Sequence, residues 1–207
     1  GTATGIAIMG FGGGALIASP WSAQMLESFG ADNSGIALAF LVHGLSYAVF
    51  MLLGVALVRV PRAPETADGR PAPLGGVQVS ARSAVRTPQF WCLWIVLCMN
   101  VTAGIGILEK AAPMITDFFA DSSAPVSATA AAGFVALLSA ANMAGRIGWS
   151  STSDLIGRKN IYRVYLGVGA VMYALIALFG DSSKPLFVLA ALVVLSFYGG
   201  GFATVPA

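Results

Sequence analysis

Three charged side chains stand inside long apolar runs of this sequence: Glu109, Lys110 and Arg146. Ionisable groups in such surroundings are costly, and each marks a functional position by default. Arg146 carries a planar fork of donors that fits a carboxylate through two parallel hydrogen bonds, so its chemistry is anion binding. The competing reading is an arginine that snorkels toward the membrane surface and ties itself to the charged turn that follows. Glu109 and Lys110 are adjacent, so on a helix they point about 100° apart and cannot share one face. They read either as a pair at a membrane–water interface, with Lys110 snorkelling outward, or with Glu109 as a proton-coupling or gating carboxylate. His43, alone in another apolar run, is either a packed, hydrogen-bonded ring or a proton relay. Phe197 and Tyr198 are either packing residues or cavity lining. No metal-ligand cluster and no nucleophile–base set occurs in the sequence, so neither a cofactor nor enzyme chemistry is expected.

The elements that must hold these groups follow from composition. Of 207 residues, 57% are hydrophobic and 10% charged, and the mean hydropathy is +0.82. A soluble domain carries about 25% charged residues. So little charge cannot cover a water-facing surface, which excludes a soluble enzyme, a secreted disulfide scaffold and a disordered binding segment. The net charge of +2 is too small to suggest nucleic acid as a partner. The 25 glycines and 10 prolines sit inside apolar runs, where transmembrane helices use them. Cys92 and Cys98 are about 9 Å apart in helix rise, too far to bridge, and read as core residues. The first residue is glycine, and the chain stops at Val205-Pro206-Ala207 within an apolar run, which reads as the interior of a longer membrane protein.

Six stretches approach the roughly 20 apolar residues that a spanning helix needs: 2–19, 36–58, 89–112, 127–149, 162–180 and 185–207. They lack the apolar–polar alternation of barrel strands, so the fold class is an all-α membrane protein, a polytopic helical bundle. Ser19-Pro20 closes the first stretch. Thr87-Pro88 opens the third, Ser127 caps the fourth, and Ser183 with Pro185 opens the sixth. Residues 59–88 and 150–163 carry Arg59, Arg62, Arg70, Arg82, Arg86, Arg158, Lys159 and Arg163. The connections 20–35, 113–126 and 181–184 carry five acids and, of the bases, Lys184 alone. That asymmetry places the basic connections on the cytoplasmic side and runs the first helix outward. The long 59–88 connection is rich in proline, glycine and charge from Pro61 to Gly76. Its later part, Val77 to Arg86, is expected to form a short basic helix on the cytoplasmic leaflet. Asn100-Val-Thr102 has the form of a glycosylation sequon but falls within a helix, where it has no meaning.

The most specific motif follows Arg146: Gly145-Arg146-Ile147-Gly148-Trp149-Ser150-Ser151-Thr152-Ser153-Asp154-Leu155-Ile156-Gly157-Arg158-Lys159. Physically this is a tight turn between helices, with Gly157 permitting the bend, Asp154 capping or pairing with arginine, and the bases anchoring at anionic lipid. It resembles the signature loop of the major facilitator superfamily in its weaker second copy, with Ser150 in place of the usual glycine. Gly5-Ile-Ala-Ile-Met-Gly10-Phe-Gly-Gly-Gly14 through Pro20 resembles helix 5 of the oxalate:formate antiporter family within that superfamily. Thr87-Pro-Gln-Phe-Trp91 with Asn100-Val-Thr-Ala-Gly-Ile-Gly-Ile107 resembles its helix 7, and Tyr198-Gly-Gly-Gly-Phe-Ala-Thr-Val-Pro206 its helix 10.

The resemblance implies a major facilitator fold of which this chain covers about helices 5 to 10. Residues 1–58 would be the last two helices of the N-terminal bundle, 59–88 the central cytoplasmic loop, and 89–207 the first four helices of the C-terminal bundle. It further implies a secondary transporter of a small organic anion, by antiport or proton symport, in a bacterial cytoplasmic membrane. Arg146 stands where that family carries a substrate-binding arginine, and Asp154, Gly157, Arg158 and Lys159 form the signature loop; Tyr198, as a cavity-lining candidate of helix 10, is the second expected substrate residue. The alternative is a non-transporting membrane sensor or receptor on the same fold. Expected partners are the anion, protons and membrane lipid, and the full-length protein is expected to be monomeric. Helix 5 would pack on helix 8 across the bundle interface through small residues. Gly1, Gly5 and Gly12 share one face, Gly10 and Gly14 form a Gly-x-x-x-Gly pair, and Gly133, Ala136, Ala140 and Ala144 are the expected partners.

Overall fold

The computed structural model describes residues 2–59 and 79–205. Among these, every regular element is a helix: α1 (Thr2–Phe29), α2 (Asn33–Leu57), α3 (Ala81–Ala84), α4 (Pro88–Phe118), α5 (Ala128–Ile156), α6 (Arg158–Phe179) and α7 (Lys184–Thr204). All but α3 are long and apolar enough to cross a membrane. The chain is an integral multi-pass membrane protein.

Several helices outrun their expected bounds. α1 continues through Pro20 to Phe29, and α4 through Pro113 to Phe118. Proline inside a spanning helix forfeits one hydrogen bond without ending the helix. Seven residues beyond the expected end at 149 also stay helical in α5, although four of them are Ser150-Ser151-Thr152-Ser153. Their hydroxyls turn back on the helix: Ser150 to the Arg146 carbonyl, Ser151 to Ile147 at 2.7 Å, Thr152 to Gly148 at 2.8 Å and Ser153 to Ser150 at 2.7 Å. A polar run thereby satisfies itself and needs no water. The expected 150–163 connection contracts to Gly157, and 20–35 contracts to residues 30–32. Many charges assigned to loops accordingly sit in terminal helical turns. The expected short helix over Val77–Arg86 is one turn, Ala81–Ala84, capped by Ser80, with Val77 and Gln78 outside the described residues. Most of the expected cytoplasmic loop, Arg62 and Arg70 included, also lies outside them.

Contacts divide the chain into two compact units, Met25–Phe90 and Gly1–Gln24 with Trp91–Ala207. Packing therefore groups most of α1 with the later helices, a different cut from the expected one at 59–88. In the smaller unit α1 ends at Gly30, whose φ of +92° only glycine adopts freely. Asp32 then caps α2, accepting from the Gly35 N–H at 3.1 Å. The Ser34 hydroxyl and that N–H hold the Asp32 carboxyl below the usual carboxylate range. α2 is apolar all round and buries only Gly35 and Ala39, with Phe40, Phe50, Met51 and Val55 at least 70% exposed. Such a surface suits lipid or further helices.

In the larger unit α7 is the most enclosed of the long helices. Phe187 near its start is fully buried among Phe118, Phe119 and Phe134, with ring centroids 5.4–6.0 Å away. Further along, three consecutive glycines meet three neighbours: Gly199 the Asn142 main chain of α5, Gly200 Trp149 and Tyr165, and Gly201 the Asn100 side chain of α4. Apolar burial drives little association between helices in lipid, so close backbone approach and hydrogen bonds replace it. Asn100 donates to the Tyr198 carbonyl at 3.2 Å, and Trp149 to Ser196 at 3.2 Å. Tyr173 donates to the Ala103 carbonyl. Cys92 and Cys98 are free, and Cys92 is exposed rather than buried as expected.

At one end of this unit lie the α5–α6 junction, the α1 start and the α7 end, with Arg158, Lys159 and Arg163. At the other lie Asp117, Asp121, Asp181 and Lys184, whose ammonium reaches the Ala124 carbonyl. Gly145→Ala would set a methyl against the Ser196 main chain, 2.9 Å from its Cα. It is expected to cost about 1–3 kcal/mol, read as a lower melting temperature of the full-length protein in detergent. Gly169→Ala, with its nearest atom 4.0 Å away on Phe197, should melt as the wild type does.

Candidate functional site

Arg146 lies about 15 Å of helix rise before the end of α5, and its side chain is fully buried. The guanidinium does not snorkel, and it does not pair with Asp154. Its Nε donates to Asn142 Oδ1 at 3.2 Å, one turn earlier on the same helix. Nη1 donates to the Ile8 carbonyl of α1 at 3.3 Å. Two aromatic rings complete the surround: Cζ is 5.0 Å from the Phe11 centroid and 4.8 Å from that of Phe202. Those rings stack nearly parallel, 5.9 Å apart and 8° from coplanar. Their π-faces offer the cation an attraction that strengthens without water. Nη2 is buried and has no hydrogen-bond partner. Among the described residues no carboxylate pairs with this cation, and Asp154 instead stands near Arg158.

Helix α1 makes room for the side chain through its glycines. A Cβ on Gly12 would stand 2.8 Å from Arg146 Nε and 3.2 Å from Cδ, and one on Gly5 would meet the Arg146 carbonyl at 2.5 Å. Gly10 and Gly14 have nothing within 4 Å, so that pair is not the contact made here. The facing surface of α5 also differs from the expected one. Gly133 and Ala144 are exposed, whereas Ala132, Ser139, Met143, Arg146 and Ser150 meet α1. Ser139 donates to the Gly12 carbonyl at 2.6 Å, and Ser19 to the Ala132 carbonyl at 3.0 Å. Of the four small residues expected there, Gly133 and Ala144 face away, and the contacts that α5 makes include these hydroxyl-to-carbonyl bonds.

The remaining expected residues are dispersed. Tyr198, one turn before Phe202 on α7, is buried with its ring against Gly104 of α4. It helps wall a groove of about 100 Å³ between α4, α6 and α7, together with Asn100, Tyr165, Tyr173 and Phe197. Arg146 is not among the groove's walls. Glu109 and Lys110 are exposed on α4. His43 belongs to the other unit, where Nδ1 bonds the Ala39 carbonyl at 2.9 Å and the ring lies 5.7 Å from that of Tyr47. Asn142, Phe11, Phe202 and the Ile8 carbonyl were not singled out from the sequence. Only Asn142 carried a local signal there, as a polar residue one helical turn from the arginine.

The signature residues form the α5–α6 junction. Gly157 takes φ +84° and is the single residue between the helices. Asp154 and Arg158 stand 3.9 Å apart with side chains about two-fifths exposed, a pair of small energetic weight. Arg158 also donates to the Thr204 carbonyl at 2.8 Å and so caps the end of α7. Tyr162 adds a bond to the Gly201 carbonyl at 2.7 Å. Lys159 is exposed.

A bundle of membrane-length helices surrounds this buried cation. The family model of the Major Facilitator Superfamily matches residues 1–207. The chain belongs to that superfamily. It is also similar to an oxalate:formate antiporter of Oxalobacter formigenes, 25% identical over 206 residues that make up 100% of this chain and 46% of the relative. The chain thus spans about half the length of that relative. No solved structure matches it.

The junction gives a direct comparison of two substitutions. Arg158→Ala orphans the Thr204 carbonyl and is expected to cost about 1.5 kcal/mol, the low end for a charged donor because the side chain is partly exposed. Asp154→Ala removes the long, partly exposed ion pair, which is worth under about 1 kcal/mol. Melting of the full-length protein in detergent ranks the two.

Proposed function

We propose that this chain is part of a secondary active transporter that moves a small organic anion, a mono- or dicarboxylate, by alternating access. The observation that carries this reading is Arg146: fully buried and, among the described residues, without a carboxylate partner and with Nη2 unclaimed. A guanidinium left so in a low-dielectric interior is costly, and an arriving carboxylate supplies both the missing charge and the missing acceptors. The similarity to an oxalate:formate antiporter supports the substrate class.

In this reading residues 1–58 close the first bundle, 59–88 link the bundles on the cytoplasmic side, and 89–207 open the second. The α1–α5 contact is then the bundle interface, and its hydroxyl-to-carbonyl bonds can break and re-form as the bundles rock. Gly5 and Gly12 set its closeness. Tyr198 lines the substrate path, Glu109 with Lys110 or His43 couples or gates, and the junction at Asp154, Gly157, Arg158 and Lys159 favours one access state. Exchange against a second anion or symport with a proton drives the cycle, in a bacterial cytoplasmic membrane.

The test is uptake of radiolabelled oxalate and formate by proteoliposomes holding the full-length protein. Arg146→Gln is expected to lower uptake about 100-fold, equivalent to losing about 3 kcal/mol of charge-assisted hydrogen bonding. Arg146→Lys keeps the charge but not the fork, and should retain only a small part of the rate. Wild-type uptake in both variants removes the anion site. Arginine-dependent binding without uptake identifies a sensor instead.

A further inference from the structure

We propose that Asn142 is a positioning residue for the anion site, fixing which edge of the Arg146 guanidinium an incoming carboxylate meets. The inference rests on the reading of Arg146 given above. A guanidinium offers a carboxylate two bidentate edges: one made by Nε with the nearer terminal nitrogen, the other by Nη1 with Nη2. Asn142 Oδ1 takes the Nε proton at 3.2 Å and so occupies the first edge. Asn142 is itself buried, with Gly199 of α7 packed against its main chain, so the amide is held in place. It stands on α5 beside the arginine and keeps its hold whatever α1 does.

The second edge is then the one open to a ligand. Nη2 has no partner, and the Ile8 carbonyl accepts from Nη1 at 3.3 Å. That carbonyl lies within α1 and keeps its helical bond from the residue four positions on, so a carboxylate can displace it cheaply. The ligand thereby exchanges a tie between α1 and α5 for a tie to itself. An asparagine suits the task better than a carboxylate. Aspartate at the same place would hold the fork equally well but would neutralise the charge the anion needs.

The experiment compares Asn142→Asp and Asn142→Ala with wild type in the full-length protein, measuring oxalate and formate uptake in proteoliposomes and melting in detergent with and without oxalate. Asn142→Asp is nearly isosteric. It is expected to melt at or above the wild-type temperature, because the buried cation gains a counter-charge. Its KM for oxalate and formate should rise more than ten-fold, and it should lose the stabilisation that oxalate confers. Asn142→Ala frees Nε and should raise KM several-fold with Vmax largely kept. Wild-type KM in Asn142→Asp overturns the proposal, as does a fall in Vmax and melting temperature at unchanged KM, which is the signature of a packing role. If Asn142→Asp transports normally while Arg146→Gln is dead, the anion site stands and only the role of Asn142 is lost. Normal uptake by Arg146→Gln removes the site itself.

Discussion

Burying a guanidinium sets five N–H donors and a full charge inside a medium that solvates neither. Around Arg146 the protein answers that demand piecemeal: an amide oxygen for Nε, a main-chain carbonyl for Nη1, and the faces of Phe11 and Phe202 for the charge. Each neighbour must come very close, and two features permit it. α1 presents glycine where the side chain crosses it, and α7 brings Phe202 up because glycines let it lie against α5. The arrangement is adequate but incomplete. A carboxylate from α1 or α7 would have finished it. In the proposed function, that residual deficit is what an arriving anion fills.

Two kinds of helix contact surround the cation, and their chemistry differs. α7 meets α5 through glycines set against main chain, meets α4 and α6 through glycines set against side chains, and adds a buried aromatic cluster around Phe187. Sliding α7 along α5 would drive backbone into backbone, and close packing resists it elsewhere. α1 meets α5 through hydroxyl-to-carbonyl bonds from Ser139 and Ser19, and through the Arg146 bond to Ile8. Those carbonyls belong to intact helical turns, so releasing them strands little. In the proposed cycle the first contact persists and the second opens, with the arginine on the persistent side and its Nη1 bond reaching across to α1.

Much of this could be read before any coordinates. Six spans, the buried arginine and the closeness of Gly5 and Gly12 follow from apolar run length, the cost of a charge in lipid and the missing Cβ. Helix ends were misplaced where a local rule met a tertiary one: Pro20 and Pro113 stop isolated helices but not spanning ones. The Ser150–Ser153 run looked like a loop because its hydroxyls bonding backward cannot be inferred from polarity. The arginine's surroundings were mostly hidden, because Phe11 and Phe202 are ordinary apolar residues until the fold brings them together from positions far apart in the chain. Asn100 carries no signal beyond a sequon without meaning inside a helix, yet its side chain ties α4 to α7.

The signature turn gains a physical meaning from the same packing. Its ion pair is long and exposed, too weak to hold a conformation. What binds is the Arg158 donation to the Thr204 carbonyl of α7, supported by Tyr162 on Gly201. Gly157 matters because a one-residue junction leaves α5 and α6 no freedom to drift apart, and its left-handed φ sets α6 on its course at once. The turn therefore clamps α5, α6 and α7 at one end, about 15 Å of helix rise beyond the cation. In the proposed cycle, motion of α1 against α5 would reach Arg146 as a whole-body displacement rather than be absorbed by bending near the turn. A weak ion pair is tolerable there because a backbone cap carries the load.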